Sequence, residues 1–182
     1  FDEKQLKLFT DNGYVSYFIK DIPKLLSGKI SPASKKIVLT FDDGYEDFYS
    51  QALPLLKKYN VKATIYITYN LIGKNDYLMV SDLQEIIKTN LVEIGSHALD
   101  HKSFKYLKEE EIKKQISESK NNLEKEFGIR IETFAYPYGD YNEKAMQGVR
   151  EYKYAAAVAI DKESALTKEN LFNLPRVRAG IF

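Results

Sequence analysis

The chain contains 182 residues, of which 44% are hydrophobic and 29% are charged, and this balance excludes a disordered chain because it supplies a full apolar core. Its 27 Lys and Arg residues oppose 26 Asp and Glu residues, and the resulting net charge of +1 has no general attraction for nucleic acid, so no nucleic-acid partner is expected. The lack of cysteine excludes disulfides and thiolate metal sites, which leaves histidines and carboxylates as the possible metal ligands.

The organisation of the chain is predicted to be a single domain over residues 1–182, because no stretch rich in Ser, Gly and Pro divides it. No apolar run reaches the roughly 18 residues of a membrane span, so no transmembrane segment is expected. The sequence begins at Phe1 rather than at Met. We therefore expect the domain to be truncated at its N-terminus, and truncation at its C-terminus stays open.

Strands and helices alternate along the chain in the predicted pattern. Strands are predicted at residues 14–19, 36–41, 63–68, 91–94, 133–136, 155–160 and 174–178. Helices are predicted between Asp2 and Asn12, at residues 22–26 and 47–59, from Ser81 onwards, and at residues 108–127. Asp2 is expected to cap the first helix, and a Ser81-x-x-Gln84 capping box is expected to open the fourth. The alternation indicates a parallel sheet covered by helices, as a barrel or a doubly wound sheet.

Polar clusters directly follow three of the predicted strands. They are Asp42-Asp43-Gly44, Gly95-Ser96-His97 and Tyr136-Pro137-Tyr138-Gly139. Because β/α barrels build their active sites from the loops at the C-terminal ends of the strands, this placement favours the barrel.

The two histidines of the sequence, His97 and His101, are four residues apart. On a helical turn this spacing brings both imidazoles to one side, close enough to bind one cation. A surface or core role is the alternative for such a pair. The pair lacks the Glu of a metalloprotease helix, which excludes that class. Ser96 has no third histidine to activate it, so we expect a loop residue, or a residue that supports the metal ligands, rather than a nucleophile.

A third metal ligand is expected from the adjacent carboxylates Asp42 and Asp43. Successive residues at a strand end point in different directions, so one carboxylate can bind the metal while the other faces the water that it activates. A simple Asp-Gly turn at Asp43-Gly44 is the alternative interpretation.

Three motifs occur in the order of one known family. Thr40-Phe41-Asp42-Asp43-Gly44-Tyr45, then Ser96-His97 with His101, then Tyr136-Pro137-Tyr138-Gly139 resemble the successive motifs of the polysaccharide deacetylases, also called the NodB-homology or carbohydrate esterase 4 family. The resemblance implies an α/β fold, a deformed (β/α)7 barrel, and hydrolysis of acetyl groups from N-acetylated sugars. It also implies a divalent metal cofactor, for which zinc is expected, although cobalt, nickel or iron suit the same ligands.

The resemblance also implies roles for individual residues. The metal ligands would be Asp43, His97 and His101, and the catalytic base would be Asp42. The backbone N–H of Tyr138 would bind the oxyanion. Contacts with the substrate would come from Tyr45, Tyr136, Pro137 and Tyr138.

Two departures from the family pattern point to one branch. Phe134 and Ala135 precede Tyr136-Pro137 where many members carry an Arg, and no third histidine is present to act as general acid. Enzymes that deacetylate poly-β-1,6-N-acetylglucosamine in biofilms resemble this chain in the Phe-Ala-Tyr-Pro-Tyr-Gly string and in the ending Leu174-Pro175-Arg176. In that branch the general-acid His lies upstream of the segment that begins at Phe1. Arg176 is then the candidate for orienting Asp42, with a structural salt bridge as the alternative.

The function implied by this branch is metal-dependent N-deacetylation of poly-β-1,6-N-acetylglucosamine exopolysaccharide by a bacterial protein, extracellular or attached to the cell surface. We expect a monomer whose partner is the N-acetylated polysaccharide. A peptidoglycan or chitin deacetylase, or a xylan O-acetyl esterase, is the alternative within the same fold. From another class, a sugar-binding module that kept the metal site without turnover stays open.

Overall fold

The computed structural model of the protein describes residues 2–160 and 165–178. Its strands are β1 (Val15–Tyr17), β2 (Lys36–Phe41), β3 (Ala63–Ile67), β4 (Val92–Ser96), β5 (Thr133–Ala135) and β6 (Ala156–Val158). They form one sheet in chain order, and every neighbouring pair is parallel. The predicted parallel sheet is therefore confirmed. In place of the seventh predicted strand, Leu174 forms a single parallel bridge with Val158.

Helices connect the strands, as parallel pairing requires. They are α1 (Glu3–Asp11), α2 (Ile22–Leu26), α3 (Leu53–Tyr59), α4 (Val80–Lys88), α5 (Glu109–Phe127) and α6 (Glu143–Glu151). A π-helical segment, Phe48–Ala52, leads into α3, and short 3₁₀ segments occupy Ile19–Asp21, Tyr69–Leu71 and Pro137–Gly139. The sequence pattern did not predict α6.

The helix caps confirm one prediction and correct another. The side chain of Asp2 accepts a hydrogen bond from the Lys4 N–H at 3.0 Å, as expected of an N-cap. The predicted Ser81 capping box is wrong, because α4 already begins at Val80. The capping group is instead Asp82, whose carboxylate accepts a hydrogen bond from the Met79 N–H at 2.8 Å.

Side chains of the strands alternate between two cores. On β3, Ala63, Ile65 and Ile67 point to the larger core under the helices, here called the outer core. Each fully buried Ile contributes about 1.5–3 kcal/mol there relative to an exposed one. Tyr66 points to the opposite face, where a β-carbon at Gly95 of β4 would lie 2.5 Å from its ring. A side chain at Gly95 would therefore displace the tyrosine.

The smaller core on the Tyr66 face, here called the inner core, shows how the sheet curls. It contains Ile19, Ile22, Tyr66, Ala135, Ala156, Val158 and Leu174. Ile19 follows β1 at one edge of the sheet, and Leu174 lies beyond β6 at the other, so both ends contribute to one core. The curvature brings the C-terminal ends of distant strands near one another, at the place where the predicted functional residues lie.

None of the helices in the described part of the chain is long and apolar enough to cross a membrane.

Candidate metal centre

Asp42 and Asp43 lie in a tight turn at the end of β2. Asp43 has a φ of 72° and Gly44 a φ of 82°, both in the left-handed region. A β-carbon at Gly44 would lie 2.9 Å from Cδ1 of Ile67, so the turn favours glycine for conformational and steric reasons. The two carboxylates have different partners, as their adjacent positions predicted. Asp43 faces the two histidines, and Asp42 faces Arg176.

The histidines lie in the loop that follows β4. The helical turn predicted for this segment is wrong, because residues 98–100 form a turn and His97 and His101 belong to no helix. Ala98 has a φ of 65° and His101 a φ of 55°. These left-handed residues bend the backbone so that the ring centroids of the two histidines lie 4.8 Å apart. The loop conformation, rather than helical periodicity, brings the imidazoles together.

One carboxylate oxygen of Asp43 lies between the two rings. Its Oδ1 atom is 3.4 Å from Nε2 of His97 and 3.0 Å from Nε2 of His101. One ligand atom from each of the three residues lies within 4.8 Å of the others. The neighbouring imidazoles of His101 and His97 hold the pKa of Asp43 well below its usual range, so the carboxylate is ionised at neutral pH. The structure thus brings together the three residues predicted as metal ligands.

The hydrogen bonding of His97 tests whether the cluster fits a cation. Its ring is 2% exposed, and Nδ1 lies 2.8 Å from the carbonyl oxygen of Ala135. A carbonyl only accepts hydrogen bonds, so Nδ1 carries the proton, and in the neutral ring Nε2 presents a lone pair. That lone pair faces the anionic oxygen of Asp43, and a shared cation stabilises two facing acceptors. The cluster therefore fits a divalent cation.

The donor set limits the chemistry of such an ion. Two imidazole nitrogens and one carboxylate oxygen suit zinc and the neighbouring divalent transition metals. Three protein ligands leave a coordination position for water or substrate, as in catalytic sites, whereas structural zinc sites are usually closed by a fourth protein ligand.

Asp42 is held by Arg176 rather than by the histidines. Nη1 and Nη2 of Arg176 lie 2.7 and 2.8 Å from the two carboxylate oxygens of Asp42. The structure thus places the predicted orienting residue in direct contact with the predicted base.

The ring of Tyr138 packs against the imidazole of His101, with ring centroids 4.5 Å apart. Tyr138 is 62% exposed, and its φ of 62° places it in another left-handed turn, directly after Pro137. Tyr138 is therefore available to a ligand at the candidate centre.

The predicted substrate contacts of Tyr136 and Pro137 are corrected by the structure. Tyr136 has no exposed surface, and its hydroxyl donates a hydrogen bond to the carbonyl oxygen of Phe172 at 2.8 Å. Pro137 is also buried. Neither side chain is therefore exposed to a ligand, and Tyr136 belongs to the outer core.

Tyr45 remains accessible, and its partner was not predicted. It is 44% exposed and stacks on Tyr77, with ring centroids 4.9 Å apart and an interplanar angle of 25°. The N–H of Leu78 bonds the carbonyl of Gly44 at 2.9 Å, which joins the Tyr77 loop to the turn that carries Asp43. The sequence did not indicate that Tyr77 would stack on Tyr45, since it shows only an aromatic residue in a polar loop.

Gln115 is a second residue that sequence reasoning missed. It is buried in α5, where its side chain bonds the backbone N–H groups of Leu99 and Asp100. The available signal was a polar residue on the apolar face of a helix, next to Ile112 and Ile116 in the helical repeat. Ser96 is the last residue of β4 rather than a loop residue. Its hydroxyl bonds that of Ser119 at 2.7 Å and accepts a hydrogen bond from the N–H of Ala98 at 3.3 Å, beside the candidate ligand His97.

Comparison with known proteins gives several matches. A protein-family model described as Polysaccharide deacetylase matches residues 29–157. YxkH of Bacillus subtilis (strain 168), named among the polysaccharide deacetylases, is 31% identical over 178 residues, which cover 98% of this chain and 63% of YxkH. The poly-beta-1,6-N-acetyl-D-glucosamine N-deacetylase of Staphylococcus aureus (strain MSSA476) is 28% identical over 79% of this chain and 54% of that protein. The solved structure of the Streptococcus pyogenes deacetylase PplD in complex with acetate has a TM-score of 0.92 and 29% identity, over 97% of this chain and 79% of that one.

The chain spans less than two thirds of the length of these curated relatives, 63% of YxkH and 54% of the staphylococcal protein.

Proposed function

The chain belongs to the polysaccharide deacetylase family, and on that premise we propose that it hydrolyses N-acetyl groups of a polysaccharide with the help of a divalent metal ion. The family and the fold class predicted from the motifs are both confirmed. The observation that carries the proposal is the convergence of Asp43, His97 and His101 on one point, next to the Asp42 carboxylate held by Arg176.

The proposed metal is zinc, held by Asp43, His97 and His101. When bound, it would supply Lewis acidity, which polarises the carbonyl of the acetyl group and makes water easier to deprotonate. The two histidines and one carboxylate support this choice, and cobalt, nickel or iron suit the same donors.

The remaining steps belong to residues of the chain. Asp42 takes a proton from the attacking water, and Arg176 keeps its two oxygens in a fixed orientation. The N–H of Tyr138 donates a hydrogen bond to the acetyl oxygen as that oxygen becomes negative. The water oxygen bonds to the acetyl carbon, the bond between that carbon and the nitrogen breaks, and the nitrogen takes up a proton equivalent to the one that Asp42 accepted, which yields acetate and a free amino sugar. The general acid expected upstream of Phe1 stays a prediction.

The proposed substrate is poly-β-1,6-N-acetylglucosamine. The similarity to the staphylococcal enzyme of that specificity supports it. The stacked, partly exposed rings of Tyr45 and Tyr77 support a sugar substrate more generally, because they offer a flat apolar surface beside the Asp43 turn. We further propose that the protein acts outside the cell or at its surface, where an exopolysaccharide lies. We also propose that it acts as a monomer, since the three candidate ligands, Asp42 and Arg176 all come from one chain.

Acetate release tests this proposal. The chain, and a version extended upstream of Phe1, would be incubated with poly-β-1,6-N-acetylglucosamine, chitin oligomers and acetylated xylan, with added zinc, added cobalt or a chelator. We expect metal-dependent release of acetate from the β-1,6-linked polymer, which Asp42→Asn abolishes. Release from chitin or xylan alone would replace the proposed substrate. Bound zinc without release from any substrate would support the sugar-binding module instead.

A further inference from the structure

Gln115, near the middle of α5, is bonded to the loop between the two candidate histidine ligands. Its side chain is buried, with 2% of the residue exposed. Its Oε1 atom accepts hydrogen bonds from the N–H of Leu99 at 3.0 Å and from the N–H of Asp100 at 3.1 Å. Its Nε2 atom donates to Oδ2 of Asp100 at 2.8 Å. Both ends of this one buried amide therefore bond residues that lie between His97 and His101.

The segment after β3 holds the same loop from its other side. The N–H of Tyr69 bonds the carbonyl of Ala98 at 3.2 Å, and the N–H of Asn70 bonds the carbonyl of Leu99 at 3.0 Å. The amide side chain of Asn70 also donates to Oδ1 of Asp100. The two carboxylate oxygens of Asp100 are thus shared between Asn70 on one side and Gln115 on the other.

The loop needs such support because its backbone is unfavourable by itself. Ala98 and His101 both have positive φ angles, which residues with a β-carbon rarely adopt. His97 has its own supports, since its N–H bonds the carbonyl of Ile67 and its ring bonds the carbonyl of Ala135. His101 lies on the far side of the turn, so its position relative to Asp43 depends on the path of residues 98–100.

We infer that Gln115 is a positioning residue of the metal centre, which holds the turn at Leu99 and Asp100 so that His101 lies opposite Asp43. Through this turn Gln115 sets the affinity of the centre for its cation. The inference rests on the proposed metal centre and adds to it a residue 14 positions beyond the second histidine, whose hydrogen bonds go to Leu99 and Asp100 and not to the three ligands.

The first test removes the amide. We expect Gln115→Met, which keeps the length of the side chain, to weaken zinc binding by about 10–100-fold, the usual effect of losing an outer partner of a metal ligand. Zinc affinity would be measured by competition with a coloured chelator, and the visible absorption of the cobalt-loaded protein would report the altered ligand geometry. Gln147→Met is the matched control, because Gln147 is exposed on α6 and bonds Glu151. This control should bind zinc normally.

The second test exchanges donor and acceptor. Gln115→Glu places two carboxylates side by side and should weaken zinc binding as well. Adding Asp100→Asn to the same chain restores a hydrogen bond in the reverse direction, because the amide at position 100 then donates to the carboxylate at position 115. That carboxylate still accepts hydrogen bonds from the backbone N–H groups of residues 99 and 100. We expect the double variant to recover most of the lost zinc affinity and the normal cobalt spectrum.

Three outcomes would overturn the inference. Zinc binding by Gln115→Met as tight as by the unaltered chain would do so while leaving the proposed function intact. If Gln115→Met does not fold, the comparison between Gln115→Glu and the double variant decides, and equal affinity of these two chains would overturn it. Lack of zinc binding by the unaltered chain would overturn the metal centre itself, and this inference with it.

Discussion

Arg176 and Asp42 are 134 positions apart in the chain and are joined by two parallel hydrogen bonds of 2.7 and 2.8 Å. The guanidinium also bonds Oγ1 of Thr40 at 3.3 Å and, through Nε, the carbonyl of Ala159 at 3.2 Å. Its planar fork matches the two oxygens of the carboxylate, and the two further bonds prevent the fork from rotating. Asp42 therefore has one orientation beside the metal ligands.

Arg176→Lys should lower turnover without loss of metal. Lysine keeps the charge but cannot form the two parallel bonds, and a hydrogen bond to a charged group is worth about 1.5–3 kcal/mol, so kcat should fall by about 10–100-fold. Acetate release and zinc content would be measured on the same sample. Arg178→Lys is the control, since Arg178 is exposed. Unchanged kcat with reduced thermal stability would support the structural salt bridge instead.

The two neighbouring aspartates should respond differently to the same substitution. Asp43→Asn should lose bound zinc and activity together. Its zinc affinity should fall by more than the roughly 10–100-fold that follows when a hydrogen-bond partner of a metal ligand is removed. Asp42→Asn should keep its zinc and lose about 10²–10⁴-fold in kcat, the usual contribution of a general base. Zinc content by mass spectrometry and acetate release distinguish the two variants. Retention of zinc by Asp43→Asn would contradict the ligand assignment.

Tyr45 and Tyr77 should affect substrate binding more than the chemical step. Loss of one aromatic contact is worth about 0.5–1.5 kcal/mol, so Tyr45→Leu or Tyr77→Leu should raise KM for the polysaccharide by about 3–10-fold. Hydrolysis of a small acetyl ester, which has no sugar ring to stack on the tyrosines, should be unchanged. Tyr14→Leu serves as the control, because Tyr14 packs on Phe9 in the N-terminal segment. Equal loss with both substrates would indicate a role in holding the Asp43 turn.

The buried Glu93 should make stability depend on pH. Burial raises its pKa above 4.5, against hydrogen bonds from Thr64, from the Lys20 N–H and from Thr133 that lower it. Because the folded pKa is raised, the stabilisation from this group is fully present below pH 4.5 and is lost as the pH rises through the folded pKa.

Relative to Glu93→Gln, the unaltered chain should therefore lose free energy of unfolding as the pH rises above 4.5. Urea unfolding across this range measures the difference between the two chains. The exposed substitution Glu118→Gln should leave the pH dependence unchanged. A gain in stability with rising pH, relative to Glu93→Gln, would show that the hydrogen bonds outweigh burial.

Much of the fold could be predicted from local patterns. The short apolar run before Asp42 and the β-branched run of β3 are typical of buried strands, and the long apolar stripe of α5 repeats with the period of a helix. Each pattern depends on residues only a few positions apart. The polar motifs that follow strand ends could also be placed at one end of the sheet, because parallel strands all end on the same side.

Contacts between distant segments could not be predicted from such local patterns. The burial of Tyr136 depends on Phe172, and the stacking of Tyr45 depends on how the Tyr77 loop folds back. The loop from His97 to His101 was predicted as a helical turn because spacing alone cannot show where a backbone becomes left-handed.

The sequence by itself determined the chemical groups of the site, since Asp43, His97 and His101 are a carboxylate and two imidazoles in any conformation. Only the tertiary structure decided that they meet at one point, that Arg176 reaches Asp42, and that Gln115 holds the loop of the second histidine. The physical reason is that these relationships depend on the curl of the sheet and on the packing of α5 against it. Both arise from the summed burial of many side chains rather than from any local run of residues.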